Sequence, residues 1–311
     1  MRVIVTGAGG FVGRQLADRL IAIGHDVVRL DRALPSDART QAIEGDLSDP
    51  AVVTRAFAGG CDAVIHLATI PGGAAELDPS AAWRTNVDAS MRLTEAAARA
   101  GTCPKFLFAS SIAVFGEPLP SEGVDDNSPL APRLLYGAHK AMIESWIATL
   151  SRRGEIDGLS LRLPGIVARP MAASGMKSAF MSDIFHALRS DMPFVSPVSP
   201  EATMWLMSVD AAAQAFVHAL TLTDPLPQGR AVTMPALRLR MRDLAAEIAL
   251  QRRTSTNLVT YQPDAALEAA FGALPPLNAA RAGGLGFRHD GSTHGLVASA
   301  LATIASTEGQ Q

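Results

Sequence analysis

The residues that most constrain this chain stand at its start. Val3-Ile4-Val5 runs directly into Thr6-Gly7-Ala8-Gly9-Gly10-Phe11-Val12-Gly13, and Val12, Leu16, Leu20 and Ile23 then share one helical face. A glycine turn joining a strand to a helix is the setting in which such a motif holds a dinucleotide. Gly7 allows the tight turn, Gly10 lets the backbone approach a pyrophosphate, and Gly13 lets helix and strand pack closely. The helix N-terminus adds free N–H groups and the positive end of its dipole. Asp31, 18 residues after Gly13, closes the second apolar run. A carboxylate there accepts hydrogen bonds from ribose hydroxyls and repels a 2′-phosphate, so NAD is expected rather than NADP. Arg32 is the neighbour that could attract such a phosphate. Asp46, in Gly45-Asp46-Leu47, is placed equally well at the adenine edge or as a helix cap.

Further short apolar runs follow at Val27–Leu30, Ala63–Leu67, Lys105–Phe108 and Leu159–Leu163. They are apolar on consecutive positions, as strands buried on both faces of a parallel sheet are. Helix-length segments such as Ala81–Ala100 separate them, which predicts right-handed crossovers and an α/β, Rossmann-type doubly wound parallel sheet. Prolines cluster after Pro164, and helical patterns continue at Lys177–Ser190, Val209–Leu222, Met241–Arg252 and Thr293–Ile304. Strand candidates there are short, at Ala231–Met234 and Leu258–Tyr261. The expectation is a dinucleotide-binding domain over 1–164 and a smaller mixed substrate lobe over 165–311, with a soft boundary that the chain can recross. Ser306–Gln311 reads as a tail.

Tyr136-Gly137-Ala138-His139-Lys140 sets a phenol and an ammonium four residues apart. Ile143, Trp146, Ile147 and Leu150 continue as one apolar stripe, so the segment reads as a helix on which both groups share a face. A free phenol, with a pKa of about 10, is a poor base near neutrality, and a close cation favours its ionised form. Such a phenolate can take an alcohol proton while hydride leaves for a nicotinamide. Ser110-Ser111 closes a strand, where ligands bind in sheets of this kind.

Taken together, Thr6–Gly13, Asp31, Gly45-Asp46-Leu47, His66-Leu67-Ala68, Asn86, Ser110–Gly116, Tyr136–Lys140 and Leu161-Arg162-Leu163-Pro164 resemble the extended short-chain dehydrogenase/reductases, the group of nucleotide-sugar epimerases and dehydratases. The resemblance covers nearly the whole chain. It implies that Ser111 hydrogen-bonds the reacting oxygen, that Tyr136 is the general base or acid, and that Lys140 holds the nicotinamide ribose. It also implies that Phe11, Val12, Leu47, Leu67, Ala68, Thr69, Asn86, Ser110, Leu163 and Ile166 line the cofactor. Three departures narrow the branch. Ile112-Ala113 stand where dehydratases carry an acidic pair, Gly165 where nucleotide-sugar enzymes usually carry Asn, and Thr203 where an Arg would grip a diphosphate. The segments Ser110–Pro118, Ser151–Gly154 and Leu161–Val167 look most like the D-erythronate dehydrogenase branch. That likeness implies NAD-dependent oxidation of a short polyhydroxy acid, with Thr69 and Ile70 on one wall of the pocket and Arg169 and Lys177 as candidates to meet the carboxylate. A nucleotide-sugar 4-epimerase with tightly held NAD, and a non-catalytic dinucleotide sensor, are the rival readings. Helices near Ala81–Ala100 and Arg133–Arg152 match those that pair dimers in this family, so a homodimer is expected.

Composition removes other classes. A net charge of −3 gives no electrostatic case for nucleic acid. Two cysteines, Cys61 and Cys103, make neither a disulfide framework nor a zinc pattern. His289 and His294 lack an evident third ligand, so no metal is expected. The apolar stretch Met204–Leu222 is broken by Asp210, Gln214 and His218, and a cytoplasmic protein without signal peptide or membrane span is expected.

Overall fold

Short runs of two to seven residues become twelve strands in the computed structural model, which describes all residues except 36, 38, 117, 172–176, 224, 225 and 309–311. The chain forms two compact units. The first comprises Met1–Glu117, Ser128–Leu163 and Ala213–Thr233, and the second Pro118–Asn127, Pro164–Ala212 and Met234–Gln311.

The strands are β1 (Arg2–Thr6), β2 (Asp26–Asp31), β3 (Gln41–Glu44), β4 (Ala63–His66), β5 (Lys105–Ser111), β6 (Asp157–Leu163), β7 (Gly165–Ile166), β8 (Phe194–Ser196), β9 (Thr203–Met207), β10 (Ala231–Thr233), β11 (Leu237–Arg240) and β12 (Val259–Tyr261). Seven of them make one parallel sheet in the first unit, in the order β10-β6-β5-β4-β1-β2-β3. Chain order runs outward from β1 in one direction and from β4 in the other. The gap between the carboxyl ends of β1 and β4 is therefore the topological switch point, where ligands bind in such sheets. Helices α1 (Phe11–Ala22), α2 (Pro50–Phe57), α3 (Gly72–Leu77), α4 (Pro79–Trp83), α5 (Ala89–Arg99) and α6 (Leu135–Arg152) belong to this unit. Val28, Val64, Phe106, Phe108, Leu93, Ile143 and Ile147 share one core cluster.

The second unit packs α7 (Phe180–Arg189), α9 (Met241–Arg252) and α12 (Thr293–Glu308) around Phe185, Leu206, Leu244, Ile248 and Leu296. Helix α8 (Val209–Thr221) runs from this unit into the first, and α10 (Ala265–Phe271) and α11 (Ala280–Gly284) are short. Its sheets are β11-β9-β7, with an antiparallel and a parallel pairing, and a parallel β12-β8 pair.

Three local readings are corrected. Ala231–Thr233, read as a strand of the smaller lobe, is a parallel edge of the main sheet beside β6. A three-residue apolar run carries no mark of which sheet it joins. The helix expected over Ala81–Ala100 is α4 and α5 joined by a π-helical turn over Arg84–Asp88. Ser306 to Glu308 continue α12 rather than starting a tail, and residues 309–311 lie outside those described.

Candidate active site

At the end of β1 the backbone leaves no room for side chains. Gly7 has φ +70°, and a Cβ on it would lie 2.7 Å from the Ala68 nitrogen. A Cβ on Gly13 would lie 2.0 Å from the Gly7 carbonyl oxygen, so α1 can pack here only without one. Gly9, not singled out from sequence, is equally constrained, with Ala33 O 2.4 Å from the Cβ position. Its signal was its place beside Gly10, which spacing alone does not rank. Gly10 caps α1 without any side-chain hydrogen bond, so the first-turn donors keep no side-chain partner. Asp31 is half-buried at the end of β2. Its Oδ2 accepts from Gly9 N at 2.9 Å and its Oδ1 from Arg32 N at 2.7 Å. The carboxylate thus braces the glycine turn. Arg14, beyond the residues expected from sequence, donates to Gly9 O at 2.7 Å. A cradle that a Cβ would fill, an open helix N-terminus and a carboxylate at the neighbouring strand end together suit a dinucleotide.

Asp46 is exposed, and a hydrogen bond from Ser48 N holds its carboxyl below the usual range. The cap of α2 is Asp49, which accepts from Ala51 N at 2.9 Å. Leu47, expected against the cofactor, is 4% exposed and belongs to the core. Phe11, Val12 and Leu67 are half-buried around the turn, and Arg32 is exposed.

The loop after β4 is held from below. Ser90 Oγ donates to Asn86 O, so it accepts from His66 Nε2 at 2.8 Å, and His66 Nδ1 then accepts from the Thr6 hydroxyl at 2.7 Å. His66 is fully buried, and burial followed by the Lys140 charge pushes its pKa down to about 3. Thr6 Oγ1 also accepts from Ala68 N. Asn86 Oδ1 accepts from Ile70 N at 2.7 Å and Thr69 Oγ1 at 3.0 Å, while its Nδ2 donates to Ile70 O at 2.9 Å. Asn86 thereby spends its amide on shaping the Thr69-Ile70 loop. Its place in the π-helical turn aims it there, a recurrent feature of functional sites. His139 packs edge-on to Trp83 and lies 3.4 Å from Asn86 Nδ2.

On the other side of the switch point, β5 ends at Ser110 and Ser111, whose side chains alternate. Ser110 is 2% exposed and its hydroxyl donates inward to Glu144, so this residue meets the interior rather than open space. Ser111 is half-buried and its Oγ accepts from Ala113 N at 3.1 Å, opening the 3₁₀ turn Ile112–Val114. Gly137 lets α6 rest on that turn, because a Cβ there would lie 2.1 Å from Ala113 O. The helix stripe predicted from sequence is present, with Ile143, Ile147 and Leu150 buried. Tyr136 is half-buried, and the Lys140 ammonium lies 5.4 Å from its ring centroid and 4.5 Å from that of Phe108. Lys140 is 2% exposed and donates to Ala109 O at 2.7 Å. Burial pulls its pKa from 10.5 down to about 7, with the Glu144 carboxylate opposing. Leu163 closes β6 opposite Ser111 in the sheet register.

In the second unit, Ile166 is buried on β7, Arg169 is half-buried, and Lys177 is exposed beside the undescribed residues 172–176. The Arg169 carbonyl lies 2.7 Å from His186 Nε2. Trp205 is core, its indole donating to Pro275 O at 2.7 Å. Thr203 donates to Leu274 O, and the guanidinium of Arg238 from β11 comes within 3.4 Å of it. Only strand pairing brings that arginine to the position where sequence spacing showed none. Asp126 is 4% exposed on its side chain and 3.7 Å from Arg281. No described helix is long and apolar enough to cross a membrane.

Residues 3–234 match the NAD dependent epimerase/dehydratase family. The chain is 38% identical to the D-erythronate dehydrogenase of Cupriavidus necator over 94% of its own length and 95% of that protein's. Identity to the D-erythronate dehydrogenase of Haemophilus influenzae is 32%, over 80% of this chain and 81% of that one. The crystal structure of the nucleoside-diphosphate-sugar epimerase from Agrobacterium tumefaciens superposes with a TM-score of 0.87 at 29% identity, covering 96% of this chain and 92% of that one.

Proposed function

The chain belongs to the NAD dependent epimerase/dehydratase family, and on that premise we propose that it is an NAD-dependent dehydrogenase oxidising a secondary alcohol of a small polyhydroxy acid such as D-erythronate. The observation that carries the reading is the Lys140 ammonium buried 5.4 Å from the Tyr136 ring at the strand end. The likeness to two D-erythronate dehydrogenases, over 94% and 80% of this chain, supports the substrate class.

Gly7, Gly9, Gly10 and Gly13 would admit the pyrophosphate, and Asp31 the adenosine ribose. Bound NAD supplies a hydride acceptor. Tyr136 would take the hydroxyl proton, and with NAD as hydride acceptor the products would be a ketone, NADH and one proton. A charged Lys140 stabilises the phenolate that this requires. Ser111 already accepts from Ala113 N, which leaves its O–H to donate to the reacting oxygen. Ile112-Ala113 offer no proton-transfer group, so dehydration has no second acid. Arg169 and Lys177 are the candidate partners of the carboxylate.

Purified protein with NAD and D-erythronate is expected to form NADH. A panel of short aldonates that yields none would overturn the reading. The second reading, a nucleotide-sugar 4-epimerase, is favoured by the likeness to the Agrobacterium epimerase and by Arg238 beside Thr203. Interconversion of UDP-glucose and UDP-galactose without net NADH would establish it.

A further inference from the structure

Behind Tyr136 and Lys140 lies a buried ion pair to which the proposed chemistry gives no part. Glu144 stands one helical turn beyond Lys140, so Tyr136, Lys140 and Glu144 follow one another at four-residue spacing along α6. Glu144 is 3% exposed. Arg162 donates to its carboxylate from Nε at 3.0 and 3.2 Å and from Nη2 at 2.8 Å, and the Ser110 hydroxyl donates at 2.5 Å. Ser110 and Arg162 are partners in the β5–β6 register, so both donors rise from one rung of the sheet. The Arg162 guanidinium lies 5.2 Å from the Phe115 centroid, and its Nη1 is buried with no hydrogen-bond partner among the described residues. An ion pair in the interior is no better for stability than a well-packed apolar pair of the same shape, so cohesion alone does not account for it.

Lys140 is the nearby charge that such a pair can serve. Its ammonium donates to Ala109 O, one residue before the serine that Glu144 holds. The groups facing it are Tyr136, His139 and Glu144 on α6, His66 on β4, and Arg162 on β6 across the Glu144 carboxylate. Burial lowers the pKa of both His66 and His139, and Glu144 is the carboxylate among them. We propose that Glu144, clamped by Arg162 and Ser110, is a positioning residue whose carboxylate favours the charged form of Lys140 and fixes the end of β5 where Ser111 stands. Burial alone would drive that ammonium toward its neutral form near pH 7, and Glu144 opposes this. The consequence for turnover rests on the dehydrogenase reading, whereas the charge relation itself does not.

The composition makes the test direct, because the chain holds only three lysines, Lys105, Lys140 and Lys177, and two tyrosines, Tyr136 and Tyr261. Lysine labelled with carbon-13 at Cε gives three NMR signals, and the Lys140 signal is the one lost in Lys140→Met. In Glu144→Gln its titration midpoint is expected to fall by about one pH unit, and the ultraviolet phenolate signal of Tyr136 to appear at higher pH. The acidic limb of kcat/KM then moves up in step, while the Kd for NAD stays within about twofold. Glu144→Gln/Arg162→Gln removes the unpaired guanidinium as well, so it recovers folding while the Lys140 midpoint stays below that of the wild type. A Lys140 midpoint that does not move in either variant overturns the proposal, whatever happens to turnover. A midpoint that moves, in a protein that reduces NAD with no hydroxy acid, supports the role of Glu144 and overturns the dehydrogenase reading instead.

Discussion

At the ends of β1 and β2 the site is made by leaving side chains out, whereas at the ends of β5 and β6 it is made by burying charged ones. Gly7, Gly9 and Gly13 each stand where a Cβ would strike backbone, and Asp31 beside them is half-buried and bonded to main-chain nitrogens. Across the switch point, Lys140, Glu144 and Arg162 are each 5% exposed or less. Steric constraint governs the first region and electrostatics the second. Substitutions should accordingly harm folding and cofactor binding in the first, and ionisation and turnover in the second.

The largest expected effect tests that separation directly. Tyr136→Phe is expected to lower turnover by about 1,000-fold, near 4 kcal/mol in barrier, while NAD affinity and the unfolding midpoint hold. Parallel steady-state kinetics and NAD titration check this, and retained turnover would break the comparison on the α6 side. Gly13→Ala comes next. With 2.0 Å between the new Cβ and Gly7 O, a loss of about 3 kcal/mol in urea unfolding and a loss of NAD binding are expected. A variant that binds NAD normally would show that the turn is not sterically fixed.

The smallest effect joins the regions through His66, which bonds Thr6 of the glycine side and feels the charge of Lys140. Its folded pKa of about 3 lies below the free value of 6.5, so the unfolded chain binds more protons between these limits. Stability is full above the free value and falls as pH drops, by about 2 kcal/mol at pH 5 from this residue. Urea unfolding at pH 7 and pH 5 measures it, and a His66→Gln variant should show a shallower dependence. Lys140 acts in the other window. Its pKa is depressed from 10.5 to about 7, so its contribution to stability rises with pH between those values and is flat below them.

Most of the first region was legible in the sequence. Gly7, Gly10, Gly13 and Asp31 sit at short, fixed offsets within a strand, a turn and a helix, and such offsets are properties of the local backbone. Tyr136 and Lys140 were legible for the same reason, as a pair one turn apart on a helix with a clear apolar stripe. Gly9 and Gly137 were passed over because the atoms that crowd them, Ala33 O and Ala113 O, come from other segments. Ser110 and Ser111 look alike in sequence, yet one hydroxyl meets Glu144 in the interior and the other opens a turn. Arg238 reaches Thr203 only through strand pairing, so no spacing rule could have found it.

What the sequence determined by itself was the alternation of strands and helices, the glycine turn and the identity of the groups able to do chemistry. Periodicity and short-range sterics suffice for these. Tertiary structure alone decided that the short strand Ala231–Thr233 edges the main sheet, that Asn86 shapes the loop after β4, and that a carboxylate lies behind the lysine. It also decided how strongly that lysine holds its proton. A charge state depends on the water removed around a group and on the partners set against it. Both are supplied by residues from distant parts of the chain.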